Sequence, residues 1–160
     1  MSDCITRVPV YSAEDAASLA CKLREQGKQI VFTNGCFDIL HPGHLEILDK
    51  SRGMGDCLFV GLNSDDSVER LKGPSRPVQP LESRAAILSS LRSVDCVIPF
   101  SEDTPLELIK KILPDVLVKG GDYMARQVVG AETVLKNGGR VEIVPLINGY
   151  STTLIVEKTR

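Results

Sequence analysis

Apolar and polar positions along this chain follow two different periods. Short apolar runs occur at Gln29–Thr33 (QIVFT), Cys57–Leu62 (CLFVGL), Val94–Pro99, Val116–Lys119 (VLVK) and Val141–Val144. They are near-continuous rather than alternating, the pattern of strands buried on both faces. Between them, apolar residues recur three and four apart, the spacing of one helical face. These stretches predict helices over Ala13–Gln26, Pro42–Met54, Asp65–Leu71, Leu81–Leu91, Pro105–Leu113 and around Gly130–Asn137, with a last helix after Ser151. The punctuation agrees. Ser12 with Asp15 makes an imperfect capping box, Gly27 closes the first helix, Pro42 suits a first turn, and Ser151 is a good N-cap. Lys72–Pro80 (KGPSRPVQP) carries three prolines and a glycine and reads as a loop.

Apolar strands alternating with helices predict an α/β fold: a Rossmann-like, doubly wound five-stranded parallel sheet with helices on both faces. No repeat, low-complexity tract or linker interrupts it, so one domain over residues 1–160 is expected. In such sheets ligands bind beyond the carboxyl ends of the strands. Three polar, Gly-rich segments fall there together: Thr33 to His44, Lys119-Gly120-Gly121-Asp122, and Asn148-Gly149-Tyr150-Ser151-Thr152-Thr153.

Composition narrows the classes. A net charge of −2 argues against a general nucleic-acid binder, while leaving room for a local basic pocket. No apolar run reaches membrane-spanning length and the N-terminus lacks a signal-peptide pattern, so no membrane association and a cytoplasmic location are expected. The five cysteines (Cys4, Cys21, Cys36, Cys57, Cys96) are scattered without a C-x-x-C pair. Neither a protein-held metal site nor a disulfide framework is suggested.

Both histidines of the chain lie in one tetrapeptide, His41-Pro42-Gly43-His44. Imidazole is well suited to donate hydrogen bonds or a proton near neutral pH. Capping or surface histidines are the plain alternative, and a nucleophilic Cys36 with His41 as its base is a third. Residues three apart share a helix face, so His41 and His44 can address one phosphate. Gly35 and Gly43 flank a turn into a helix, where backbone N–H groups and the helix dipole favour an anion. Ser151, Thr152 and Thr153 suit a second phosphate or simply cap a helix. The pattern is neither G-x-G-x-x-G nor a Walker loop, which speaks against hydride transfer and P-loop hydrolysis. Phosphoryl or nucleotidyl transfer needs positioning and positive charge, which two histidines, Lys72 and a divalent ion on the phosphates supply.

Thr33-Asn34-Gly35-Cys36-Phe37-Asp38-Ile39-Leu40-His41-Pro42-Gly43-His44, with Tyr150-Ser151-Thr152-Thr153 downstream, resembles the HxGH nucleotidyltransferases, the cytidylyltransferase-like group. Three further segments are similar to the adenylyltransferases of ADP-heptose synthesis: Leu71 to Val78, Arg92-Ser93-Val94-Asp95, and Pro114 to Tyr123. The likeness runs from about Ser12 to the end. Many such domains are fused to a sugar kinase, and the resemblance is to a stand-alone form without one. It implies AMP transfer from ATP, carried with Mg²⁺, to D-glycero-D-manno-heptose 1-phosphate (β anomer favoured), by in-line attack at the α-phosphorus. A cytidylyltransferase for glycerol or alditol phosphate is the same-fold alternative, and a non-catalytic nucleotide-binding regulator the alternative of another class.

The resemblance assigns catalysis to His41, His44 and Lys72. It assigns the nucleotide to Thr33, Asn34, Gly35, Cys36, Phe37, Gly43, Lys119, Gly120, Gly121, Asp122, Ser151, Thr152 and Thr153. Asp38, Asn63, Asp65, Arg76, Arg84 and Arg92 are the candidates for the sugar phosphate, with Asp38 also holding its loop and Arg92 alternatively at a subunit interface. A homo-oligomer, dimer or tetramer, is implied. Two departures stand out. Cytidylyltransferases carry arginine where this chain has Leu146, which leaves one phosphate partner to Lys119 or Lys158. They carry aspartate where it has Gly121, which favours ATP over CTP.

Overall fold

The computed structural model describes residues 7–121, 124–147 and 149–158. Five parallel strands form one sheet: β1 (Ile30–Gly35), β2 (Cys57–Asn63), β3 (Cys96–Phe100), β4 (Val116–Gly120) and β5 (Arg140–Val144). Their spatial order is β3-β2-β1-β4-β5. Seven α-helices are present among the described residues, α1 (Ala13–Glu25), α2 (Pro42–Arg52), α3 (Asp65–Lys72), α4 (Leu81–Leu88), α5 (Leu106–Ile112), α6 (Ala131–Lys136) and α7 (Thr152–Lys158), with one short 3-10 helix at Ala125–Gln127. The doubly wound expectation holds, and each expected element is present.

The pleat sorts the strand side chains into two cores. Ile30, Phe32, Phe59, Cys96 and Ile98 pack with α1, α5 and α6 through Ala16, Ala20, Leu108, Ile109, Ile112 and Val134. Val31, Leu58, Val60, Leu62, Val97, Val116 and Val118 pack on the opposite face with Leu48 of α2 and Ala85 and Leu88 of α4. Successive strand residues point to opposite faces, so both layers draw on every strand. The apolar runs are near-continuous for that reason.

Boundaries moved where tertiary pairing overrode local pattern. β1 extends to Gly35 because it pairs with β2 through Gly35↔Leu62. The helix expected to Leu91 ends at Leu88, and residues 89–95 turn the chain into β3. Asp56, Asp95 and Asp115 each stand just before a strand. Their carboxylates accept from the backbone N–H of Gln29 (2.7 Å), Leu58 (2.7 Å) and Ile30 (2.8 Å), tying neighbouring strand starts at the amino edge. At the opposite edge the sheet splits. β1 and β4 pair only through Val31↔Val116 and Phe32↔Leu117, after which β1 continues with β2, and β4 with β5. This is the topological switch point, where open α/β sheets hold ligands.

Candidate active site

A cavity of about 650 Å³ occupies that split. One wall is the segment from β1 into α2. Phe37 takes a left-handed backbone (φ 42°), unusual for a residue with a side chain, and the chain turns there toward α2. His41 occupies the N-cap position of α2 with extended backbone, yet its side chain makes no capping bond. The capping alternative therefore fails for His41.

The two imidazoles stack, with centroids 3.8 Å apart and planes 24° apart. Phe37 packs on His44 at 5.2 Å, and Tyr150 lies near-parallel to His41 at 6.3 Å. The Nδ1 atoms of both histidines are buried without a hydrogen-bond partner. Burial holds His41 below the usual imidazole range. Burial, then repulsion from His41, brings His44 down to about 4, against a smaller opposing pull from the Ile39 backbone. Burial thus favours the neutral form of both rings. Gly43 between them has a steric reason: a Cβ there would sit 3.0 Å from the His41 ring.

The cations come from three elements. Lys72 ends α3 and is exposed at the cavity, and Arg76 follows in the loop 73–80. Lys119, near the end of β4, also lines it, and burial lowers its amine from the usual lysine value. The remaining wall includes Leu146, Ile147, Tyr150, Ser151, Thr152 and Thr153. Ser151 Oγ accepts from Leu154 N–H (3.1 Å), and Thr152 Oγ1 donates to the Ile39 carbonyl (3.3 Å), fixing the start of α7 against the β1 segment.

Asp38 is almost fully buried and holds the loop 73–80. Its carboxylate accepts from Val78 N–H (2.9 Å), Gln79 N–H (2.9 Å) and Arg76 Nε (2.6 Å). Burial pushes this carboxyl up, but the Gln79 and Val78 amides and Arg76 together outweigh it and hold it below the ordinary value. Cys36 lines the cavity, and burial pushes its thiol up despite Lys72, Arg84 and Arg76. A nucleophilic cysteine needs the opposite shift, so the geometry does not favour that alternative.

Several expected site residues sit elsewhere. Arg84 has a fully buried guanidinium bonded to protein groups and does not line the cavity. Asp65 pairs with it at 2.6 Å and faces a separate outer groove. Arg92 is exposed on the turn before β3, at the amino edge of the sheet, across the molecule from the cavity. Thr33, Gly120 and Gly121 do not line the cavity, and Gly120 leaves room for Ile47, whose Cδ1 would clash with a Cβ there. Lys158 is exposed near the end of α7 and does not line the cavity, whereas Lys119 does. Asp122, Tyr123, Asn148 and Cys4 lie outside the described residues.

The sequence reading missed a further stretch of wall, Asp103-Thr104-Pro105 and Gln127-Val128-Val129. The first follows β3, so the carboxyl-end rule applied to that strand would have found it. The second carries no local signal. Among the described residues no three His, Cys, Asp or Glu side chains cluster as metal donors. No helix among them is long and apolar enough to cross a membrane.

Comparison with known proteins bears directly on this site. The cytidylyltransferase-like family pattern matches residues 32–158, from β1 through the cavity walls to α7. This chain belongs to the cytidylyltransferase-like family. The bifunctional protein HldE of Azorhizobium caulinodans is 52% identical over 151 residues, 94% of this chain and 32% of that protein. HldE of Rhodopseudomonas palustris is 59% identical over 137 residues, 86% of this chain and 28% of its own length. The chain thus spans about a third of the length of these curated relatives. A lipopolysaccharide core biosynthesis protein from Thermoplasma volcanium superposes with a TM-score of 0.61 at 33% identity, over 78% of this chain and all of the other. A pantoate-β-alanine ligase from Francisella tularensis, solved with a nucleotide and β-alanine, shares the fold at TM-score 0.63 and 19% identity, over 86% of this chain and 67% of that one.

Proposed function

We infer that this nucleotidyltransferase transfers AMP from ATP to D-glycero-D-manno-heptose 1-phosphate, the β anomer favoured, releasing pyrophosphate and ADP-heptose. The observation that carries the transfer chemistry is the cavity at the β1–β4 split, lined by two stacked imidazoles together with Lys72, Arg76 and Lys119. A triphosphate is the ligand whose charge and acceptor count suit that lining. The choice of heptose is supported by the Leu71-to-Val78, Arg92-to-Asp95 and Pro114-to-Tyr123 segments, by the HldE relatives and by the lipopolysaccharide-core neighbour.

In this reading an oxygen of the sugar phosphate attacks the α-phosphorus. The new O–P bond forms opposite the bond to the β-phosphate, and pyrophosphate departs with that electron pair. Charge builds on the non-bridging oxygens, where donors fixed in advance are most effective. His41 and His44 supply those donors, with Lys72 and Lys119 adding positive charge. Mg²⁺ enters as part of the nucleotide substrate. Ser151 to Thr153 face the outer phosphates. Gly121, in place of an aspartate, supports ATP as the nucleotide.

The test crosses ATP and CTP with both anomers of heptose 1-phosphate and reads pyrophosphate. Turnover with ATP and the β anomer is expected. Turnover with CTP alone overturns the nucleotide assignment. Calorimetric ATP binding without turnover on any acceptor moves the protein to the non-catalytic class.

A further inference from the structure

Arg84 is a charged side chain with no exposed surface, and all of its partners are protein groups. Nε donates to the Gln79 carbonyl (2.9 Å), Nη1 to the carbonyls of Cys36 (2.7 Å) and Asn63 (2.8 Å), and Nη2 to Asp65 Oδ1 (2.6 Å). A buried guanidinium is tolerated when its fork is satisfied in this way. The partners come from three separate pieces of chain: the segment after β1, the junction of β2 with α3, and the end of the loop 73–80. Two of them, Cys36 and Asn63, line the cavity that Arg84 itself does not reach. The Gln79 peptide is gripped on both sides, its N–H by Asp38 and its carbonyl by Arg84. Three residues before it, Arg76 lines the cavity and is paired with Asp38.

The geometry points to Arg84 as a positioning residue, a buried strut that sets the Cys36–Asp38 segment, the end of β2 and the Arg76 loop in fixed relation around the reacting groups. It acts without touching substrate. Asp65 is the outer end of the strut: its side chain is 45% exposed, in a groove lined by Pro80, Leu81 and Glu82 on the outside of the molecule. A change at Asp65 therefore loosens Arg84 without altering the cavity lining. The kinetic consequences rest on the nucleotidyl-transfer reading above; the structural consequence does not.

Two variants test the strut, each with a thermal melt to establish folding. Arg84→Lys keeps the charge but loses the fork. It should lower kcat at least about tenfold, since sub-ångström misplacement near a reacting centre is that costly. KM for ATP should move much less. Asp65→Asn should lower kcat in the same direction, by about threefold on the same scale. A raised KM for the sugar phosphate in Arg84→Lys at unchanged kcat, with Asp65→Asn silent, would mean direct substrate contact and overturn the strut. Amide hydrogen exchange gives a readout independent of turnover: peptides covering 36–40 and 73–80 should exchange faster in both variants, with α1 and α6 unchanged. Unaltered exchange in those two peptides overturns the proposal even if no substrate pair gives turnover, an outcome that would count only against the proposed reaction. If Arg84→Lys does not fold, Asp65→Asn decides alone.

Discussion

The wall carrying His41 and His44 and the support built on Asp38 and Arg84 adjoin in the fold, where Arg84 donates to the Cys36 carbonyl, yet they spend their polar groups differently. The histidines stack on one another and keep buried nitrogens without a protein partner. Asp38 and Arg84 have committed theirs: three backbone or side-chain donors converge on Asp38, and Arg84 satisfies three carbonyls and a carboxylate. The contrast separates side chains with capacity left for a ligand from side chains that hold the site in shape. In the sequence, Asp38 stands three residues before His41 and Arg84 forty residues after His44, and nothing local marks which side chains are free and which are committed.

The sharpest way to break this distinction is at the histidines. His41→Ala and His44→Ala should each lower kcat about 10²–10³-fold, the scale for removing one preorganised donor, as measured by pyrophosphate release. A kcat unchanged in both would make the histidines mere packing groups. The opposite signature is expected at Asp38. Asp38→Ala strands Arg76 and two amides, and should cost about 3 kcal/mol in denaturant unfolding, the range for breaking a buried pair.

pH offers a third probe. His44 has an ordinary value of 6.5 and a folded value of about 4. Between those values the unfolded chain takes up a proton that the folded chain refuses, so stability declines as pH falls from about 6.5 toward 4. Asp38, held low, adds its loss further down, as pH falls below the ordinary carboxylate range. Thermal midpoints recorded against pH should show the first decline flattened in His44→Asn. A slope unaffected by that substitution would place the titration elsewhere. The smallest effect belongs to Arg92. Being exposed at the far edge of the sheet, Arg92→Ala should leave kcat/KM unchanged and stability within about 0.5 kcal/mol, as surface substitutions usually do.

Much of the fold was legible because it is written locally. The five apolar runs mark the strands, and Ser12, whose Oγ accepts from Asp15 N–H at 3.1 Å, marks the first helix start as its spacing suggests. The order β3-β2-β1-β4-β5 was not legible, because a strand's neighbour is chosen by packing across long sequence separations. Motif residues were partly misread for the same reason. Arg84 and Asp65, expected at the sugar phosphate, pair with each other away from the cavity lining.

By itself the sequence determined the element types, the doubly wound class and the concentration of chemistry at His41-Pro42-Gly43-His44. These follow from periodicity, turn residues and spacing along a helix, all properties of neighbours in the chain. Only the tertiary structure decided which polar side chains remain free. Whether an arginine meets a ligand or three carbonyls depends on burial and on segments far away in sequence, as Arg76, Arg84 and Arg92 each show. A buried guanidinium must find partners wherever the fold brings them, and no local pattern records where that is.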